Sequence, residues 1–249
     1  MASRDRPITV PESPHFPDAS VRARGLQMPA SARGLVIVVH PHGASRRHSG
    51  HRFVTDVLHA NGLATLSIDL HTAEEQQRGA PAPGLVQMRY RIRAVFDWLS
   101  TQAVLGNRPV ALLGIDDAVT GCIAAAARHR PAALRSMVLL DGRPHQVAHL
   151  LGRLSLPTMF IIGRCDARSV QRHRAAVRQM TAPSRLELLT LPTQPAAAAG
   201  AHQAFALAAM NWFAKTLFAS DSAPAQSRGG SAGPAAPSAH GERTSRARR

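Results

Sequence analysis

Apolar and polar positions repeat along this chain on two periods, and the switches between them outline the elements. After Gly34 the run Leu35-Val-Ile-Val-Val39 is unbroken and β-branched up to His40. Such a run fits a strand over 34–40 that is buried on both faces, because a strand with one wet face would alternate. Comparable runs predict strands over 64–70, 110–115, 136–140, 158–162 and 186–191, with shorter candidates at 8–10 and 20–26. Between them the apolar spacing becomes helical. Phe53, Val54, Val57 and Leu58 predict a helix over 51–60 that Asn61-Gly62 stops. The same spacing predicts helices over 85–99, 119–128, 170–180 and 203–218, and a short one over 146–151. The polar, proline-containing stretch 71–83 reads as a loop. Strands alternating with helices call for an α/β domain with a doubly wound, mostly parallel sheet flanked by helices. Its strand ends and their loops share one edge, where ligands bind.

Composition sets the limits of that domain. A chain of 249 residues with 45% hydrophobic content can bury one full core. The pattern divides it into an N-terminal extension over 1–17, a domain over 18–218 and a tail over 219–249. The tail is rich in Ala, Ser, Gly, Pro and Arg, without periodic apolar positions, and is expected to be disordered.

The formal charge of +15 raises nucleic acid or an anionic surface as a partner. The basic residues are nearly all arginine, however, with Lys215 the only lysine, and they are scattered without a basic stripe of stacking aromatics. Nucleic acid is therefore not an expected partner. Cys122 and Cys165 show neither disulfide nor metal-ligand spacing. No apolar stretch approaches the ~18 residues of a membrane span, and no leader pattern opens the chain, so a cytoplasmic protein without membrane contact is expected. Oligomeric state is left open.

The chemistry concentrates between Arg108 and Gly121. Val110-Ala-Leu-Leu-Gly114 runs into Ile115-Asp-Asp-Ala118 and then the alanine-rich Cys122-Ile-Ala-Ala-Ala-Ala127. That is a buried strand turning sharply into a helix, in the pattern small-x-nucleophile-x-small that lifts its central side chain above a parallel sheet. The central residue is Asp116.

This order of elements resembles the α/β-hydrolase superfamily, in particular its small, capless dienelactone-hydrolase-like members, over about residues 7–218. The likeness is carried by Gly34-Leu-Val-Ile-Val-Val-His-Pro-His-Gly-Ala-Ser45 with Arg47 and His48, by Asn61-Gly-Leu-Ala-Thr-Leu-Ser-Ile-Asp-Leu70, by the elbow, and by Ile161-Ile-Gly-Arg-Cys-Asp166. The resemblance implies an oxyanion loop at His42, Gly43, Ala44 and Ser45, with Gly43 or Ala44 supplying an N–H. It also implies a nucleophile position at Asp116 and an acid position at Asp166. His40 and His42 lie two apart, with no carboxylate or cysteine completing a regular metal-ligand pattern, so no metal is expected, and no cofactor is expected either.

Two positions depart from the family. Asp116 stands where a serine or cysteine is usual, and a carboxylate is a poor acyl nucleophile. The loop after the last strand, where the family carries its histidine, has none; His202, near the start of the last helix, is the nearest substitute. The resemblance thus implies ancestral ester or lactone hydrolysis that is weakened or lost, a pseudoenzyme acting on a small-molecule ligand or ester substrate. One alternative is a non-catalytic module that binds a small molecule or a partner. A second is a hydrolase using Asp116 as nucleophile at saturated carbon, as haloalkane dehalogenases and epoxide hydrolases do. Those enzymes carry a long cap, for which 141–157 leaves no room.

Overall fold

The computed structural model describes residues 22–42, 49–102, 107–163, 166–189 and 198–218. The expected N-terminal extension with its strand at 8–10, the oxyanion residues Gly43, Ala44 and Ser45, Cys165, and the tail over 219–249 lie outside the described residues. Seven strands form one sheet: β1 (Arg22–Gln27), β2 (Gly34–His42), β3 (Leu63–His71), β4 (Val110–Ile115), β5 (Leu134–Leu140), β6 (Thr158–Ile162) and β7 (Ser184–Leu188). Their order across the sheet is β1-β3-β2-β4-β5-β6-β7, with β1 antiparallel to β3 and the others parallel. The chain winds outward from β2 to β3, then returns to the other side at β4, so the order reverses between β2 and β4. A parallel sheet opens a ligand crevice at such a reversal.

Helices cover both faces. On one lie α1 (Ser49–Ala60) and α7 (Ala198–Thr216), packed with Val36, Val38, Leu113 and Ile161. On the other lie α3 (Leu85–Ser100), α4 (Ala118–Arg128), α5 (Ala148–Leu151) and α6 (Ala167–Gln179), packed with Leu35, Ile37, Leu112 and Phe160. The β2 residues Leu35 to Val39 are buried to 1% exposure or less, which is why this strand reads as a continuous apolar run. In α4 every residue from Ala118 to Ala126 is buried. Small side chains let this helix approach the sheet closely: a Cβ on Gly114 would lie 2.8 Å from the Cys122 sulfur.

Two segments differ from the pattern reading. The stretch 71–83 holds a short helix, α2 (Ala73–Gln77), started by a capping box in which the Thr72 hydroxyl accepts the Glu75 N–H and the Glu75 carboxylate accepts the Thr72 N–H. Arg91 on α3, 1% exposed, donates from its guanidinium to both Glu75 carboxylate oxygens and to the Leu70 carbonyl. Polar residues here form a buried network, so the segment carries no apolar period. The last helix begins at Ala198, not at 203, because Ala198-Ala-Gly-Ala201 joins it and alanine is the strongest helix former. Among the described residues no helix is long and apolar enough to cross a membrane.

Candidate functional site

The elbow is formed as its residue pattern requires. β4 ends at Ile115, and Asp116 takes a left-handed φ of 49° before α4 starts at Ala118. A non-glycine residue in that conformation costs about 1–2 kcal/mol, and aspartate tolerates it better than most. Backbone bonds hold the turn on both sides: the Asp116 N–H donates to the Leu140 carbonyl at 2.9 Å, and the Val119 N–H to the Asp116 carbonyl at 3.1 Å. The Asp116 side chain is exposed at the strand edge. Asp117, at the helix start, binds the Arg143 guanidinium, so the second acid of the pair faces a cation instead of capping α4.

Next to it, at the end of β5, Asp141 repeats the left-handed conformation with φ 53°, and among the described residues it and Asp116 are the non-glycine residues with positive φ. Asp141 is tied down on three sides. Its N–H donates to the Ile161 carbonyl at 2.8 Å. Its Oδ1 accepts the Gly163 N–H at 2.8 Å. Its carbonyl lies 3.1 Å from Nε2 of His173, a buried α6 residue whose Nδ1 lies 2.9 Å from the Ser169 carbonyl. Asp166 caps α6, accepting the Ser169 N–H at 2.9 Å.

These strand ends enclose a cleft of about 390 Å³ lined by Pro41, His42, Asp116, Asp117, Asp141, Gly142, Arg143, Asp166 and Ser169. It lies at the sheet's order reversal, with β2 and β4 side by side. The structure thus brings Asp116, Asp166 and His42 together and adds Asp117, Asp141 and Arg143. His202 is half-buried in the second turn of α7 and does not line this cleft. Asp141 falls just past the strand expected over 136–140, where the apolar pattern assigns it no role; the dipeptide Asp141-Gly142, a left-handed pair, is the available signal.

The charge of the cleft is opposite to that of the chain. Four aspartates face it against one arginine, in a chain with 30 basic and 15 acidic residues. Just beyond its rim the sign reverts. Burial, and then the nearby charges of Arg172, His173, Arg143 and Arg168, hold the His145 imidazole below its ordinary pKa. Among the described residues no group of three or more His, Cys, Asp and Glu side chains is arranged to hold a metal ion. A larger cavity of about 760 Å³ opens at the opposite edge of the sheet, where Leu35 and Val110 begin their strands. Its lining contains no carboxylate and no imidazole among the described residues, in contrast to the lining of the elbow cleft.

No family model matches the chain. Two proteins of Mycobacterium tuberculosis that bear the name "Putative phosphoribosyl transferase" are 32% identical to it over 167 residues. That match takes in 67% of this chain, while the chain spans only 37% of the length of those relatives. Among solved structures, a dienelactone hydrolase from Anabaena variabilis superimposes with a TM-score of 0.75 at 26% identity, over 86% of this chain and 99% of the other. Est1E from Butyrivibrio proteoclasticus follows the same fold with a TM-score of 0.61 at 15% identity, over 79% of this chain and 96% of its own. With its sheet order, its elbow and its cleft at the strand ends, the chain has the α/β-hydrolase fold and is dienelactone-hydrolase-like.

Proposed function

We propose that this protein has kept the fold and cleft of dienelactone-hydrolase-like enzymes while its acyl-enzyme chemistry is weakened or lost, and that it acts by binding a small molecule at the elbow. The observation that carries this reading is Asp116, a carboxylate at the elbow position with φ 49°. Serine hydrolases need an alkoxide generated by a neighbouring base. A carboxylate attacking an ester would give a mixed anhydride in place of an acyl ester, and three further aspartates in the cleft oppose the build-up of negative charge in a tetrahedral intermediate.

Hydrolysis of a short-chain p-nitrophenyl ester by the wild type, Asp116→Ala and Asp116→Ser tests the reading. The expected result is background turnover in wild type and Asp116→Ala. Turnover in wild type that vanishes in Asp116→Ala would overturn it. Activity gained only in Asp116→Ser would identify a working pocket disabled at one residue.

A second reading has its own support, since the left-handed elbow presents the Asp116 carboxylate to the cleft as a nucleophile is presented. Asp116 would then attack a saturated carbon, forming an alkyl ester as the C–halogen or C–O bond of the substrate breaks. The 17 residues between β5 and β6 leave no cap, which weighs against it. A mass increase on Asp116 after incubation with alkyl halides or epoxides would favour this reading. Phosphoribosyl transfer, the activity in the name of the M. tuberculosis relatives, fits this cleft poorly, because four carboxylates against one arginine repel a pyrophosphate.

A further inference from the structure

We propose that the cavity at the N-terminal edge of the sheet is a second ligand site, fitted to a small molecule with one carboxylate on an apolar body, and that Arg108 and Arg135 receive the carboxylate. The site is independent of the elbow and of what binds there. It holds about 760 Å³, against about 390 Å³ for the elbow cleft, a volume in the range of small-molecule pockets.

The first residues of the strands make its floor. Leu35 on β2 and Val110 on β4 stand opposite each other in register, and with Phe96 and Leu99 of α3 they give the cavity an apolar wall. Backbone bonds hold this floor together. The Leu35 N–H donates to the Pro109 carbonyl at 3.0 Å, the Val110 N–H to the Ala133 carbonyl at 2.8 Å and the Leu134 N–H to the Pro131 carbonyl at 3.0 Å. With those amides committed, the floor meets a ligand with side-chain carbon.

β5 departs from regular pairing at this point. Val110 pairs with Leu134, but the next residue, Ala111, pairs with Ser136, so Arg135 is an extra residue on its strand. The core agrees with that count. Leu134, Met137 and Leu139 all pack in the core under α3 and α4, and strict alternation would send residues 134 and 137 to opposite faces. The extra residue reconciles the two and leaves Arg135 exposed in a strand otherwise buried or half-buried, at the lining of the cavity. Bulges re-aim side chains, gather beside functional sites and are rare between parallel strands.

Arg108 reaches the same cavity from the segment before β4, and its Nε donates to the Ala32 carbonyl at 3.0 Å. A guanidinium carries five N–H donors, so this bond fixes the side chain without exhausting it. No described lining residue is acidic. α3 also ends here, and a helix C-terminus favours cations, but its last carbonyls are covered. The Ser100 hydroxyl donates to the Asp97 carbonyl at 2.6 Å and the Thr101 hydroxyl to the Trp98 carbonyl at 2.7 Å. The Asp97 carboxylate is engaged by Arg93 and His129 and lies outside the lining. Guanidinium groups bind carboxylates through paired N–H bonds, and the apolar wall accepts the rest of the ligand.

The test is a calorimetric titration of the full chain with decanoate, decanol and decyltrimethylammonium, each below its micelle-forming concentration and at one ionic strength. Decanoate is expected to bind about tenfold or more tightly than decanol, the ratio that one charge-assisted pair supplies, and the ammonium more weakly than either. Arg135→Gln should remove that preference and leave decanol binding unchanged. Ala132→Trp, which sets an indole at the rim from an exposed lining position, should weaken both. Absence of decanoate binding, decanol binding as tight as decanoate binding, or a preference that survives Arg135→Gln would overturn the proposal. Loss of decanoate binding in Asp116→Asn would overturn it too, by placing the ligand in the elbow cleft. Should the Trp variant not fold, Arg135→Gln at its exposed position still decides. The ester assay reads the elbow alone, so neither test stands or falls with the other.

Discussion

Gly142 and Asp116 meet across the gap between two strand ends so closely that a Cβ on Gly142 would lie 2.5 Å from the Asp116 carbonyl oxygen and 2.7 Å from the Val119 Cβ. Gly142 also has a φ of 76°. Two independent constraints therefore fall on one residue, a conformation costly for any other side chain and a contact with backbone that cannot yield. Gly142→Ala is expected to destabilise the fold by about 2–4 kcal/mol, read as a lowered urea midpoint. A loss below about 0.5 kcal/mol, the usual range for surface changes, would show that the elbow shifts freely.

The neighbouring Asp141 separates strain from bonding. Asp141→Gly relieves the φ of 53° but drops the 2.8 Å bond to the Gly163 N–H, whereas Asp141→Asn keeps an acceptor and the turn preference. We expect Asp141→Ala to cost about 1–3 kcal/mol, Asp141→Gly less and Asp141→Asn least. Thermal melts of the three variants decide the order, and an Asn variant as unstable as the Ala variant would contradict it.

The ion pair of buried Arg91 and half-buried Glu75 makes acid stability measurable. Burial works to raise the Glu75 pKa, but bonds from Arg91 and from the Thr72 N–H outweigh it, and the net shift is downward from 4.5. A carboxyl with a depressed folded-state pKa contributes stability that is present above its unfolded value and lost as the pH falls through the folded one. Glu75→Gln also leaves the buried Arg91 guanidinium without its counter-charge and is expected to cost about 1–3 kcal/mol at pH 7. That difference from wild type should shrink below about pH 4.5. A gap constant from pH 7 to pH 3 would argue against the ion pair.

Cys122 tests the packing under the elbow. It is buried, and burial pushes its thiol far above the usual range, so the nucleophilic thiolate is suppressed. In a Cys165→Ser background, a thiol reagent at pH 8 should label Cys122 only as denaturant unfolds the chain. Rapid labelling of the folded protein would mean that α4 does not press on Gly114 as described.

Fold and site were legible to different degrees, for physical reasons. β2 and α4 announce themselves because burial on both faces admits only apolar or small residues. The elbow was legible at Asp116 because a sharp strand-to-helix turn demands small neighbours in fixed places. α2 was not, since its stability comes from the Thr72–Glu75 capping box and the Arg91 network rather than from an apolar stripe; the Thr-x-x-Glu spacing was its local signal. The role of Asp141 was hidden for another reason. It depends on β5 lying next to β4 and β6 in the sheet, a long-range fact that no local pattern encodes.

The acidic lining of the cleft has a consequence for how fast a ligand arrives. Outside the cleft an incoming molecule meets the field of a chain of formal charge +15, which salt screens over about 8 Å under physiological conditions; inside the cleft it meets four aspartates and one arginine. A cationic ligand thus crosses a repulsive shell before it reaches an attractive pocket. Added salt thins the outer shell more than it weakens contacts inside the cleft, so association quickens with ionic strength while residence shortens. Conventional electrostatic steering has the reverse dependence, with encounters slowing as salt rises.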